Sequence, residues 1–305
     1  MLLLDDLLEE YLYHCLAKGF TKKTMINKRQ EFNQLKKFLI VKRGITEIES
    51  VTVHDLRAYL RAKKNDGLQP QSIVSMSKII SAFFNWCVVE EYLTESPMSK
   101  VEIPKVPRKV IRGLEPDEVV EMIDCFSYKN YIECRNKAVI AMLADTGLRA
   151  MEIRTLLSEN VKETTILVNG KGNKERIVFI SPTLKKILIK YERMKEKYLK
   201  DKIVKSDSYF LTYQHRELSH VTVWKIVKEA GERTGIKDVH PHMFRHFYSV
   251  QTLNSGNIDV YSLSRLLGHS DVSTTQRYLQ SMTHAQLEDK AILASPLTNI
   301  GRTRK

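Results

Sequence analysis

The stretch HMFRHF, residues 242–247, sets two histidines and an arginine beside the apolar side chains of Met243, Phe244 and Phe247. Phe and Met at such spacing line a core, so His242 and Arg245 sit at the rim of something buried. Cationic hydrogen-bonding groups in that position need partners or a substrate. Their i, i+3 spacing puts both on one helical face. Three more stretches carry comparable capacity. ADTGLRAMEI holds Arg149 at a turn-to-helix junction, with Glu152 close enough to be simply its ion-pair partner. GKGNKE carries Lys171 and Lys174, where solvated loop lysines would also sit. LSRLLGHSDVSTTQRYL places His269 after a glycine that can end a helix, with Tyr278 farther on.

Other chemistries lack their residues. His240, His242 and His246 are neighbours in sequence, but no carboxylate or cysteine stands at ligand spacing beside them. HExxH and paired-histidine finger patterns are missing, as are a GxSxG elbow, a P-loop and GxGxxG. Zinc, serine-nucleophile and ATP-driven reactions are therefore not expected, and no cofactor is called for. His246 reads as a structural histidine.

The elements that must position these residues follow from pattern. At 305 residues the chain is too long for one comfortable core, so two domains are expected. From Leu2 to about Pro97 the apolar spacing is helical, with Thr21 and Thr52 placed to cap helices. SPMSKVEIPKVPRKVIRG, with Pro97, Pro104 and Pro107, breaks that pattern and reads as an extended linker. The boundaries expected are a helical domain over 1–96, a linker over 97–111, a second domain over 112–284 and a tail over 285–305. In the second domain a buried helix breaks at Thr146-Gly147 and restarts. Two β-rich runs, Ile166 to Val168 and Arg176 to Ile180, flank the GKGNKE tip as a hairpin. Helices follow from Pro182, one of them stopping at Gly235.

Bulk charge names a partner class. The net charge of +13 and pI near 9.4 point to a polyanion, with nucleic acid foremost. Lysines and arginines gather on the N-terminal helices, and Lys22, Lys23, Lys28, Arg29 and Lys78 are read there as DNA contacts; Lys174 and Arg176 join them at the hairpin. No apolar run approaches the length that crosses a bilayer, and MLLLDDLLEEYL lacks a basic leader region. Cys15, Cys87, Cys125 and Cys134 lie far apart with no CxxC pair, which fits a reducing cytoplasm.

Taken in order, TGLRAME, GKGNKER, HMFR, LLGH and the tyrosine of TTQRY resemble the tyrosine recombinase (phage integrase) family, most closely its Xer branch. The resemblance covers nearly the whole chain. It implies a mainly α protein with a small β-hairpin, a SAM-like helical core-binding domain and a mixed α/β catalytic domain. It implies site-specific recombination through a 3′-phosphotyrosyl link, with Tyr278 as nucleophile, Arg149 and Arg245 clamping the phosphate and His242 as the candidate base. His269 would bond the phosphate, Lys171 would be the general acid, and Glu152 would orient the active-site arginine or histidine. The implied partners are double-stranded DNA with an inverted-repeat core site and further copies of the chain in a tetramer, with a partner recombinase or accessory protein a further option. The implied setting is the prokaryotic cytoplasm, at nucleoid or plasmid. A nicking-closing enzyme of the topoisomerase kind and a catalytically silent DNA-binding protein are the rival readings. The tail, THAQLEDKAILASPLTNI, would dock on a neighbouring protomer or pack on its own domain. Since the first helix starts at residue 2, no extra arm-binding domain is expected.

Overall fold

The computed structural model describes residues 2–106, 113–170, 175–204, 206–269 and 271–279, the side chains of 277–279 excepted. The chain divides into two compact units, Met1–Lys109 and Val110–Lys305.

Among the described residues the first unit has four α-helices, α1 (Leu4–Ala17), α2 (Lys22–Lys36), α3 (Val53–Asn65) and α4 (Pro70–Val89), with α2 running on into a π-helical turn over Lys37–Lys42. Their starts are written in the sequence. The Thr21 hydroxyl accepts from the Thr24 amide at 3.3 Å, and Thr52 and Asp55 cap each other's backbone at the head of α3. Pro70 occupies the first turn of α4, where no helical N–H is lost. Over an 18-residue window of its 20 residues, α4 has a mean hydropathy of 1.5 and is long and apolar enough to cross a membrane, which a count of consecutive apolar residues misses because Ser72, Ser75, Ser77 and Lys78 interrupt the run. Its inward face (Ile73, Met76, Ile80, Phe83, Phe84 and Cys87) is one wall of the unit's core. Each fully buried ring or aliphatic chain there contributes about 1.5–3 kcal/mol of transfer free energy.

Two sequence readings change in this unit. Met98 and Val101 are buried in its core, so the linker starts later than Pro97. Lys28, read as a DNA contact, is only 6 % exposed. Its ammonium donates to the Tyr11 hydroxyl at 3.0 Å and sits 4.6 Å from the Tyr11 ring centre, and burial lowers its pKa. The helical stripe that buries Met25, Phe32 and Leu35 takes Lys28 with it. Lys22, Lys23, Arg29 and Lys78 are exposed, Arg29 within 3.5 Å of Glu9.

The second unit is arranged around α6 (Tyr131–Thr146), which is buried on nearly every side. Against it pack α5 (Pro116–Asp124), α7 (Ala150–Arg154), α8 (Pro182–Leu199), α9 (His220–Thr234) and α10 (Pro241–Asn254). Two short helices follow, α11 (Val260–Leu267) and α12 (Ser273–Leu279), and α12 packs on α10 and α11. The hairpin forms as expected: β1 (Thr165–Asn169) pairs antiparallel with β2 (Glu175–Phe179), Leu167 opposite Ile177. Ile166, Val168 and Val178 turn inward, leaving Ile177 and Phe179 exposed. The tip with Lys171 and Lys174 and the tail over 285–305 lie outside the described residues.

Candidate active site

The site starts where α6 stops. Gly147 takes φ +61, and a Cβ there would fall 2.5 Å from the Tyr248 ring, so only glycine fits the turn. The turn carries Arg149 to the head of α7. There its amide donates to Glu152 Oε2 at 2.8 Å and its Nη1 to Oε1 at 2.9 Å. The simple ion-pair reading of Arg149 is thus real, yet the side chain stays 32 % exposed and lines the cleft described below.

Glu152 is the buried anchor of the site. Arg176, on β2, meets it fork to fork, Nη1 to Oε1 and Nη2 to Oε2, both at 2.8 Å. The remaining Arg176 donor, Nε, bonds the Leu266 carbonyl at 2.9 Å. Burial pushes the Glu152 carboxyl up, but the Arg176 bonds and charge, with help from Arg149, outweigh it and hold the group below its usual value. Arg176 therefore ties β2, α7 and the end of α11 together. Its reading as a DNA contact is corrected: the side chain is 10 % exposed and its three kinds of donor nitrogen face protein oxygens. Gly268 lets α11 end against it, since a Cβ there would lie 2.9 Å from Arg176 Cδ.

Arg245, on α10, is 3 % exposed. Nη1 donates to the Gly147 carbonyl at 2.8 Å, and Nη2 donates to the Leu267 carbonyl at 2.7 Å. Nη2 also lies 2.8 Å from His269 Nε2. A guanidinium can only donate, so Nε2 accepts and the neutral ring carries its proton on Nδ1, which donates to Thr275 Oγ1 at 2.7 Å. His242, one turn before Arg245, keeps its imidazole open to the cleft. Crowding by the protein lowers its pKa first, and the positive charges of His240, Arg245 and Arg149 lower it further. His246 is half-buried, with its ring edge against Gly113 and its pKa lowered by burial.

Arg149, Arg176, His242, Arg245 and His269 converge on one cleft of about 1160 Å³. Tyr278 lies on α12, and Thr275, one turn earlier on the same helix, meets His269. Among the described residues no group of three or more His, Cys, Asp or Glu could hold a metal ion.

The model of the phage integrase family matches residues 112–284, and that of the phage integrase SAM-like domain matches residues 3–103. The chain belongs to the phage integrase family. It is a tyrosine-type site-specific recombinase of the Xer branch, similar to the tyrosine recombinase XerD of Listeria innocua serovar 6a (26% identical over 290 residues, 94% of this chain and 97% of that one). The tyrosine recombinase XerD of Staphylococcus epidermidis is 30% identical over 280 residues, 90% of this chain and 94% of that one. Among solved structures, a lambda integrase (75–356) dimer bound to a COC′ core site shares the fold with TM-score 0.72 at 17% identity, covering 93% of this chain and 97% of that one. The XerH recombinase bound to palindromic difH substrate has TM-score 0.72 at 17% identity, with 94% and 84% covered.

Within this recombinase, reading the sequence missed the supports of the site. Thr275 was one threonine among several, although its place between His269 and Tyr278 was a usable signal. The carbonyls of Gly147 and Leu267 carry no side-chain signature at all. Their trace is a glycine at each helix end, Gly147 itself and Gly268 after Leu267.

Proposed function

We propose that Arg149 and Arg245 clamp the non-bridging oxygens of a DNA phosphodiester while Tyr278 attacks its phosphorus. The arrangement of Arg149, His242, Arg245 and His269 around one cleft carries this reading. Charge gathers on the non-bridging oxygens during in-line displacement, and rigid guanidinium forks match them in two-pronged fashion. A phenol has a pKa near 10, so Tyr278 needs a base. His242, biased toward its neutral form, takes that proton. Lys171 protonates the departing 5′ oxygen, Glu152 fixes Arg149, and His269 bonds the phosphate from Nε2 once that nitrogen gains a proton, its Nδ1 staying on Thr275.

The P–O5′ bond breaks as the P–O(Tyr) bond forms, giving a 3′-phosphotyrosyl link and a free 5′ hydroxyl. The bond energy is conserved, so the 5′ hydroxyl of another strand reseals the break. The substrate is double-stranded DNA with an inverted-repeat core, held partly by Lys22, Lys23, Arg29, Lys78 and Lys174. Four copies assemble on paired sites in the bacterial cytoplasm, the 285–305 tail docking on a neighbour. The helical unit, continued through Val101, carries core binding, and 112–284 carries catalysis. The family membership and the intact set of cleft residues favour this over a nicking-closing enzyme or a silent binder.

The test is capture of protein–DNA adducts from fragmented DNA under denaturing quench. Adducts at one recurrent inverted repeat, lost in Tyr278→Phe with DNA affinity kept within about twofold, are expected. Adducts that persist in Tyr278→Phe would remove Tyr278 as nucleophile, and scattered adducts would favour nicking and closing.

A further inference from the structure

Four arginines line the cleft, and three of them have a place in the account above. The fourth is Arg265, in the last turn of α11, four positions before His269. Its environment differs from that of the others. Arg176 has all three nitrogens on Glu152 and the Leu266 carbonyl, whereas Arg245 gives part of its fork to two carbonyls and His269, and Arg149 gives one nitrogen to Glu152. Arg265 is exposed, and among the described residues its guanidinium has neither a hydrogen-bond nor an ion-pair partner. The lining of the cleft includes one carboxylate, Glu175, against the four arginines, and Ser262 lies one turn before Arg265 on the same helix face. A cationic fork left open beside other cations raises the local positive potential, which is offset only when an anion enters.

We propose that Arg265 binds a second phosphate of the DNA backbone, flanking the one held by Arg149 and Arg245. This rests on the reading of the cleft as the DNA-cleaving site. The contact fixes the register of the strand, so that the scissile phosphate and not its neighbour lies at the clamp. It adds affinity and positional accuracy without touching the reacting atoms.

The experiment uses Tyr278→Phe protein, which holds DNA without cutting it, and the duplex that this protein selects from a randomised pool. Each backbone phosphate near the cleavage position is replaced in turn by a neutral methylphosphonate, and affinity is read by mobility shift. One flanking replacement should weaken binding about tenfold, and Arg265→Ala should weaken the unmodified duplex by a similar factor. In Arg265→Ala that replacement should cost nothing further, and the slope of log affinity against log salt should fall by about one. Arg265→Lys should recover part of the affinity. Identical methylphosphonate profiles with and without Arg265, or an unchanged salt slope, would overturn the proposal. Adduct formation by the protein bearing Tyr278 on the same duplex is scored separately. Its failure would count against the cleavage reading while the binding data still decide on Arg265.

Discussion

At the residue scale, the site depends on one buried carboxylate with two arginine partners. Glu152 has a 6 % exposed side chain, and Arg176 supplies both its closest charge and its fork of hydrogen bonds. Removing one partner of such a buried pair costs roughly 3–5 kcal/mol, because the other charge is left uncompensated. Arg176→Met leaves Arg149 as the partner of Glu152, so it should lower the urea-unfolding free energy by about 3 kcal/mol, the low end of that range, and lower adduct formation as the carboxylate that holds Arg149 loses its fork. Adding Glu152→Gln to Arg176→Met should restore much of the stability and little of the activity. Additive stability losses in that double-mutant cycle would show that the two side chains do not act as a unit.

At the element scale, helix ends do the positioning. The backbone turn at Gly147 presents one carbonyl to Arg245 and leads directly to Arg149. Gly147→Ala should cost about 1–2 kcal/mol for the left-handed backbone alone. The 2.5 Å approach to Tyr248 adds to that, and Gly235→Ala, with φ +77 and open space around it, is the matched control. Equal urea midpoints for the two variants would mean that the Tyr248 contact relaxes freely. Much of this level was legible in the sequence: Thr21 and Thr52 as caps, the break after Thr146, the hairpin, and the helical face shared by His242 and Arg245. What stayed hidden was set by tertiary packing. Lys28 and Arg176 are cations, and composition alone sends cations to the surface. Only the fold shows that one is buried against Tyr11 and the other against Glu152. Thr275 needed the loop between α11 and α12 to reach His269.

At the scale of the whole molecule, pH and chain order are linked to folding. His240, His242 and His246 all lie in the second unit with pKa values lowered, burial being the main cause. A histidine whose folded pKa lies below its unfolded value, near 6.5, takes up protons more readily when unfolded. Its contribution is complete above about pH 6.5 and is lost as pH falls toward the folded value. Urea midpoints should therefore drop between about pH 7.5 and 5.5, and His246→Gln should flatten that drop. A profile level over that window would contradict the burial assignment. The joint made by Arg245 has a different consequence. Its guanidinium ties the end of α6 to the end of α11 and to His269, so the group proposed to grip the phosphate is also a fastening of the fold. A chain emerging from the ribosome has Arg149 long before α10 and α11 exist to complete that fastening. A recombinase is thus kept harmless while incomplete: until the end of α11 closes on Arg245, there is no blade to misfire.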